Sequence, residues 1–197
     1  MKSYKLFVLF ILFITQLVGC APSAILGIPA SILDRRTTET QIKDNQIFLA
    51  SWAPTQEILD KETQKSHFNL LSYNKAILIV GEVPTEEIKN RITDVLSKIE
   101  DVKTVHNKII AGEAISIKQR AKDTITTSNV KTRLFLEVKN QVHPLHVKIM
   151  TENDTVYLLG IVNEKEADEA IKIAKSSKGV TLVVPLFELD ESVKNNY

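Results

Sequence analysis

Apolar and polar residues alternate over Phe68-Asn69-Leu70-Leu71-Ser72 and again over Leu145-His146-Val147-Lys148-Ile149, the pattern of a strand with one buried face. A polar turn follows each segment, Asn74-Lys75 in the first case and Glu152-Asn153-Asp154 in the second. Beyond each turn lies a largely apolar run carrying one glycine, followed in the first copy by Glu82: Leu78-Ile79-Val80-Gly81-Glu82-Val83, then Tyr157-Leu158-Leu159-Gly160-Ile161-Val162. Strand, short turn and strand predict a β-hairpin. Gly81 and Gly160 stand 79 positions apart, and the segments around them superimpose at that offset, so the chain carries an internal repeat.

Each hairpin leads into a helix. Thr85 is placed to cap the first, with Glu86 and Glu87 in the opening turn, where the helix dipole favours anions. Ile88, Ile92, Val95, Leu96 and Ile99 then recur at helical spacing. In the second copy Asn163 and Glu166 have the spacing of a capping box, ahead of Ala167, Ala170, Ile171 and Ala174. A last strand closes each unit, over Val102–Ile110 and through Val180, Leu182, Val184 and Leu186. A further helix precedes each hairpin. The first is expected to start near Asn45, to hold Trp52 in the core and to break at Pro54, which cannot donate to the helical ladder. The second is expected over Ile117–Glu137. The fold class is α+β: two tandem units of order α-β-β-α-β, over 45–112 and 115–190, each with helices on one face of a three-stranded mixed sheet. Gly81 and Gly160, single glycines inside strands, are expected to let a helix approach closely.

The N-terminus stands apart from this pattern. Lys2 and Lys5 precede a nine-residue apolar run, Leu6 to Ile14, too short to span a bilayer and suited to a secretory signal. Leu17-Val18-Gly19-Cys20 follows and resembles a lipobox, in which the cysteine is diacylated before cleavage. Cys20 is the only cysteine, so no disulfide forms within a monomer, and lipidation accounts for an otherwise exposed thiol. Residues 1–19 are thus expected to be a signal peptide, with diacylglycerol and an N-acyl chain on Cys20. Several acyl chains hold a protein stably to a membrane without a spanning helix. Ala21, rather than aspartate, follows the cysteine, which favours the outer membrane, periplasmic face.

Residues 20–44 are expected to be a tether and 191–197 a C-terminal tail. As a coil the tether spans roughly 27 Å, so the second unit can fold back to the membrane. Arg35-Arg36 is expected to be a solvated linker charge or a local attraction for anionic lipid. Lys2 and Lys5 account for two of the 25 basic residues, leaving 23 against 24 acidic. That balance argues against a nucleic-acid binder.

Catalytic patterns are missing. There is no nucleophile elbow and no phosphate-cradling glycine loop. His143 and His146 are separated by Pro144 at a strand entrance, while His67 and His106 fall on strands. All four are expected to be structural, no metal or other cofactor is implied, and an enzyme is not expected.

The succession of helix, turn, Val/Leu-x-Gly-x-Val strand, helix and a closing Gly-Val-x-x-Val strand resembles the BON domain. Here the closing motif is Gly179-Val180-Thr181-Leu182-Val183. The first copy has Asp101-Val102-Lys103-Thr104-Val105, with Asp for Gly; aspartate tolerates the left-handed conformation better than most residues. Together with the lipobox and Asp34-Arg35-Arg36-Thr37-Thr38, the two copies resemble outer-membrane lipoproteins with paired BON domains. That resemblance implies a non-enzymatic protein that binds anionic phospholipid (phosphatidylglycerol or cardiolipin) through its second BON domain and supports outer-membrane integrity. It also implies, as an alternative, a scaffold docking an envelope machine, such as the outer-membrane-protein assembly machinery, with lipid only as anchor.

The Ile117–Glu137 helix is where such binding is expected. Counting about 100° per residue from Val130, Leu134 falls at about 40° and both face the core. By the same count Phe135 lies at about 140°, Ala121 at about 180°, Ile125 at about 220° and Leu136 at about 240°. Lys118 and Lys122 flank this second strip, and Lys139 follows it. An apolar strip edged by lysines suits an anionic bilayer surface. The alternatives are a strip packed against the first unit, or a break at Ser128-Asn129 that changes the angles. The resemblance implies a tryptophan near the start of this helix; Ile125 stands there instead.

Overall fold

The computed structural model describes residues 34–137 and 143–193. Its elements are α1 (Thr38–Asp60), β1 (His67–Tyr73), β2 (Ala76–Val83), α2 (Glu86–Leu96), β3 (Thr104–Ala111), α3 (Ile117–Glu137), β4 (Val147–Glu152), β5 (Thr155–Val162), α4 (Glu164–Lys175) and β6 (Leu182–Leu189). A 3-10 turn, Pro144–His146, leads into β4. The order is α-β-β-α-β, twice, as the repeat predicted. Each sheet has its middle strand paired antiparallel on one side and parallel on the other, β1-β2-β3 and β4-β5-β6.

Local chemistry explains the joints. Tyr73 pairs with Ala76 and Glu152 with Thr155, leaving two-residue turns in which Asn74, Lys75, Asn153 and Asp154 all take positive φ. That is the hairpin turn whose twist matches the strands. Each turn is read by an aspartate from the preceding helix. Asp44 accepts from the amides of Asn74 and Lys75 at 2.8 and 2.7 Å, and Asp123 accepts from Asn153 and Asp154 at 3.0 and 2.9 Å. Both carboxylates are buried. They too are 79 positions apart, a repeat element that hydrophobic patterning does not mark. Thr85 caps α2, and Asn163 and Glu166 form the full capping box of α4. Asp101 takes a positive φ of 68°, so the turn survives where the motif's glycine is missing.

The residues of β2 and β5 divide between two kinds of core. Ile77 and Ile79 join Ile47, Ile58, Ile88, Ile92 and Leu96 beneath α1 and α2. Val156 and Leu158 join Val130, Leu134, Ala170 and Ala174 beneath α3 and α4. Leu78 and Val80 point the other way, with Tyr73, and meet Tyr157, Leu159 and Ile161 of the second sheet. The layers therefore run helix, sheet, sheet, helix, and neither sheet presents an open apolar face to water. The unbroken apolar runs of β2 and β5 reflect burial on both faces.

Several expectations are corrected here. The first helix begins at Thr38, seven residues before Asn45, with Thr37 as its cap, so the tether is shorter than 20–44. It runs through Pro54 without ending; anchoring by Ile47 on one side and Ile58 and Leu59 on the other outweighs the lost hydrogen bond. Trp52 is not a core residue but half-exposed, its ring 6.4 Å from that of Phe68. The side of α1 nearest the sheet is occupied by the small Ser51 and Thr55, whose hydroxyls return to the carbonyls of Ile47 and Ser51. Trp52 falls about a quarter-turn further round.

Gly81 and Gly160 are also corrected. A side chain at Gly160 would collide with the carbonyl oxygen of His146, and one at Gly81 with that of His67. The close approach is to the strand entrance alongside, not to a covering helix. Finally, Arg35 and Arg36 are not solvated linker charges. Arg35 pairs with Glu166 and Arg36 with Asp44, each at 2.6 Å with its carboxylate buried, and Arg36 also lies over the Tyr73 ring.

Candidate lipid-facing surface

α3 is started by Ser116, whose hydroxyl accepts from the Gln119 amide at 3.1 Å, and it continues past Ser128-Asn129 without a break. Val130 and Leu134 are fully buried against the second sheet, with Asp123 and Thr126 on the same side. The opposite side is open. Ile117, Ile125, Phe135 and Leu136 are each between 62 and 82 % exposed, and Ala121 is exposed among them. The helical angles thus hold, and the strip is not covered by the first unit.

Ile117 completes the strip and was missed. It lies eighteen positions before Phe135, a whole number of turns, so the two share one line along the helix. The signal was present, since the helix was expected to begin at that residue.

The charged flank is weaker than expected. Lys118 is exposed, but Lys122 donates to Asp154 at 2.8 Å, and this bond holds the Asp154 carboxyl below the usual carboxylate range. Lys139 and Cys20 lie outside the described residues.

A polar cleft runs beside the strip, where α3 faces β1 of the first unit. His67, Asn69, Arg120, Asp123, Lys131 and Glu152 are among the residues that line it, around about 370 Å³. Glu152 accepts from Asn69 at 2.8 Å through one oxygen; the other makes no hydrogen bond among the described residues, with the His67 ring 3.5 Å away. Burial, reinforced by Glu82 and Asp123, pushes the Glu152 carboxyl up to about 7. Glu82 is raised in the same way, although it accepts from the Ile115 amide at 3.1 Å. Burial and the Arg120 charge lower His67. His143 accepts from the Leu145 amide and starts the 3-10 turn. Among the described residues no cluster of three or more histidine, cysteine or acidic side chains is placed to hold a metal, and no helix is long and apolar enough to cross a membrane.

Compared with known families, the chain matches the BON domain twice, over residues 55–113 and 122–191. It belongs to the BON family. Each match opens inside a helix, α1 or α3, and runs to the end of its unit or just beyond. The outer membrane lipoprotein DolP of Haemophilus influenzae is 32% identical over 178 residues, covering 87% of this chain and 89% of that protein. A 21 kDa hemolysin of Actinobacillus pleuropneumoniae is 28% identical, covering 77% of each. Osmotically-inducible protein Y of Escherichia coli is 30% identical over 64% of each. The paired BON domains are thus common to the sequence repeat, the two sheets and the family match.

Proposed function

We propose that this chain is a non-enzymatic, periplasm-facing outer-membrane lipoprotein, anchored through acyl chains on Cys20. Its second BON domain binds anionic phospholipid along α3 and so supports the integrity of the outer membrane. One observation carries the reading: Ile117, Ala121, Ile125, Phe135 and Leu136 stand exposed on a continuous helix whose other side is locked into the core. Soluble proteins seldom leave such a row uncovered without an interaction to fill it. Lys118 borders the strip, and an amphipathic helix of this kind gains both from buried CH₂ groups and from anionic headgroups. Kinship to DolP, named an outer membrane lipoprotein, and the Leu17-Val18-Gly19-Cys20 sequence support the location and the anchor.

The test uses the 21–197 fragment, which lacks both the signal sequence and the acyl anchor. It is expected to sediment with phosphatidylglycerol or cardiolipin vesicles, less so as salt rises, and Ile125→Asp is expected to weaken this binding. A folded chain that ignores anionic vesicles at low salt overturns the lipid reading and favours a scaffold that docks the outer-membrane-protein assembly machinery.

A further inference from the structure

A second uncovered apolar row lies on α1. Ile42, Phe48, Leu49 and Trp52 are between 37 and 68 % exposed. The series Ile42, Asn45, Leu49, Trp52, Gln56 advances in steps of three and four, so these side chains share one stripe. No charged side chain falls on that stripe between Ile42 and Gln56; Asp60, which accepts from Gln56 at 2.6 Å, closes its far end. The repeat supplies a comparison, because shifting by 79 positions places Ala121, Thr124, Ser128, Lys131 and Phe135 on the same stripe of α3. The same fold is thus built there with Ser128 and Lys131 where α1 has Leu49 and Trp52, so apolar side chains at those two positions are not something the fold requires.

Two features decide what covers it. The four side chains leave roughly 400–500 Å² open, within the range of patches that are often functional. Two such helices face to face bury under about 1,000 Å², short of the roughly 1,200 Å² at which stable protein interfaces begin. A second copy is therefore a poor occupant. The chain's own path points elsewhere. Arg35 and Arg36 are pinned by buried carboxylates, so α1 starts at a fixed point, and the fifteen steps from Cys20 to Arg35 reach at most about 50 Å. Ile42 lies only about 6 Å along the axis from Thr38.

We propose that the Ile42–Leu49–Trp52 face of α1 is a second membrane-contact surface, which rests on the bilayer that holds Cys20 and takes its neutral glycerol and upper acyl region. The inference depends on the Cys20 anchor but not on lipid binding by α3. Tryptophan suits that depth, with an apolar ring and one N–H for the headgroup layer. Lacking charge, this contact is indifferent to headgroup charge and to salt, unlike the lysine-flanked strip of α3.

Trp52 is the only tryptophan and reports on the contact directly. The acylated full-length chain is reconstituted into phosphatidylcholine vesicles whose acyl chains carry bromine near the headgroup. Trp52 emission is expected to shift to the blue and to be quenched at least two-fold, equally at low and at molar salt. Leu49→Glu is expected to remove the quenching while the chain still floats with the vesicles, and replacing Lys118 and Lys122 by Ala is expected to leave it intact. A chain that floats while Trp52 stays unquenched and open to aqueous acrylamide overturns the proposal. So does a blue shift that grows with protein concentration without vesicles, which assigns the face to a second copy. A chain that does not float removes the Cys20 anchor, and the proposal with it.

Discussion

Arg35 grips Glu166 through both terminal guanidinium nitrogens, Nη1 and Nη2, at 2.6 and 2.7 Å, across 131 residues of chain. The carboxylate is fully buried and also accepts from the Asn163 amide in the capping box of α4. The same guanidinium donates to the Ile161 carbonyl at 2.7 Å. A residue preceding the first BON domain thus completes the second. Two planar groups paired in this way give direction as well as attraction.

Removing the arginine leaves a buried carboxylate without its cation. Arg35→Ala is expected to cost about 3–5 kcal/mol, as for other buried pairs broken on one side. Arg35→Lys, which keeps the charge but not the fork, is expected to lie between. Thermal unfolding followed by circular dichroism measures both, and equal melting temperatures for wild type and Arg35→Ala would dismiss the clamp.

The inter-sheet cleft makes stability depend on pH. Glu152 is faced by His67 and Asn69 of β1, Glu82 of β2, Asp123 and Arg120 of α3, and its carboxyl is raised to about 7. Its folded pKa exceeds the unfolded value, so the folded state holds the proton more tightly. This contribution is complete at low pH and is lost as pH climbs from about 4.5 through 7. His67 works in the opposite sense, since a lowered histidine destabilises the fold as pH drops below about 6.5. Glu152→Gln isolates the carboxylate. The variant is expected to gain on the order of 2 kcal/mol over wild type at pH 8 and little at pH 4.5, read from denaturant midpoints across that range. A pH-independent difference would refute the assignment.

Gly160 is expected to tolerate no side chain. Gly160→Val drives atoms into the His146 carbonyl, where backbone must yield, at a cost of about 1–3 kcal/mol or more. Lys122→Ala, which loses only a surface ion pair, is expected to stay within about 0.5 kcal/mol. The comparison is one of melting temperatures, and equal values would remove the close-approach role.

The two faces of α3 are expected to separate cleanly by substitution. Val130→Asp puts an unpaired charge into the core of the second BON domain and unfolds it. Ile125→Asp adds a charge on the open side and leaves the helical spectrum and melting temperature nearly unchanged. A collapse of Ile125→Asp comparable to that of Val130→Asp would mean that the strip is a structural surface.

Periodicity and turn chemistry determined much of this protein. The repeat, the order of elements, the caps at Thr85 and Asn163, and the buried and open sides of α3 follow from contacts within about one helical turn or across a two-residue hairpin. Such contacts leave a local signature in residue spacing. What the two sheets do with their second faces was decided in three dimensions. Leu78 and Val80 meet Tyr157, Leu159 and Ile161 from far along the chain, and an unbroken apolar run says that both faces are buried without saying against what. Arg35, Arg36 and Trp52 differ from what their spacing predicts for the same reason. The arginines look solvated until Glu166 and Asp44 are brought beside them, and the tryptophan looks like core until the small Ser51 and Thr55 occupy the helix–sheet contact. Burial and charge pairing belong to the partner as much as to the residue, and for these three only the tertiary structure supplies, or withholds, the partner.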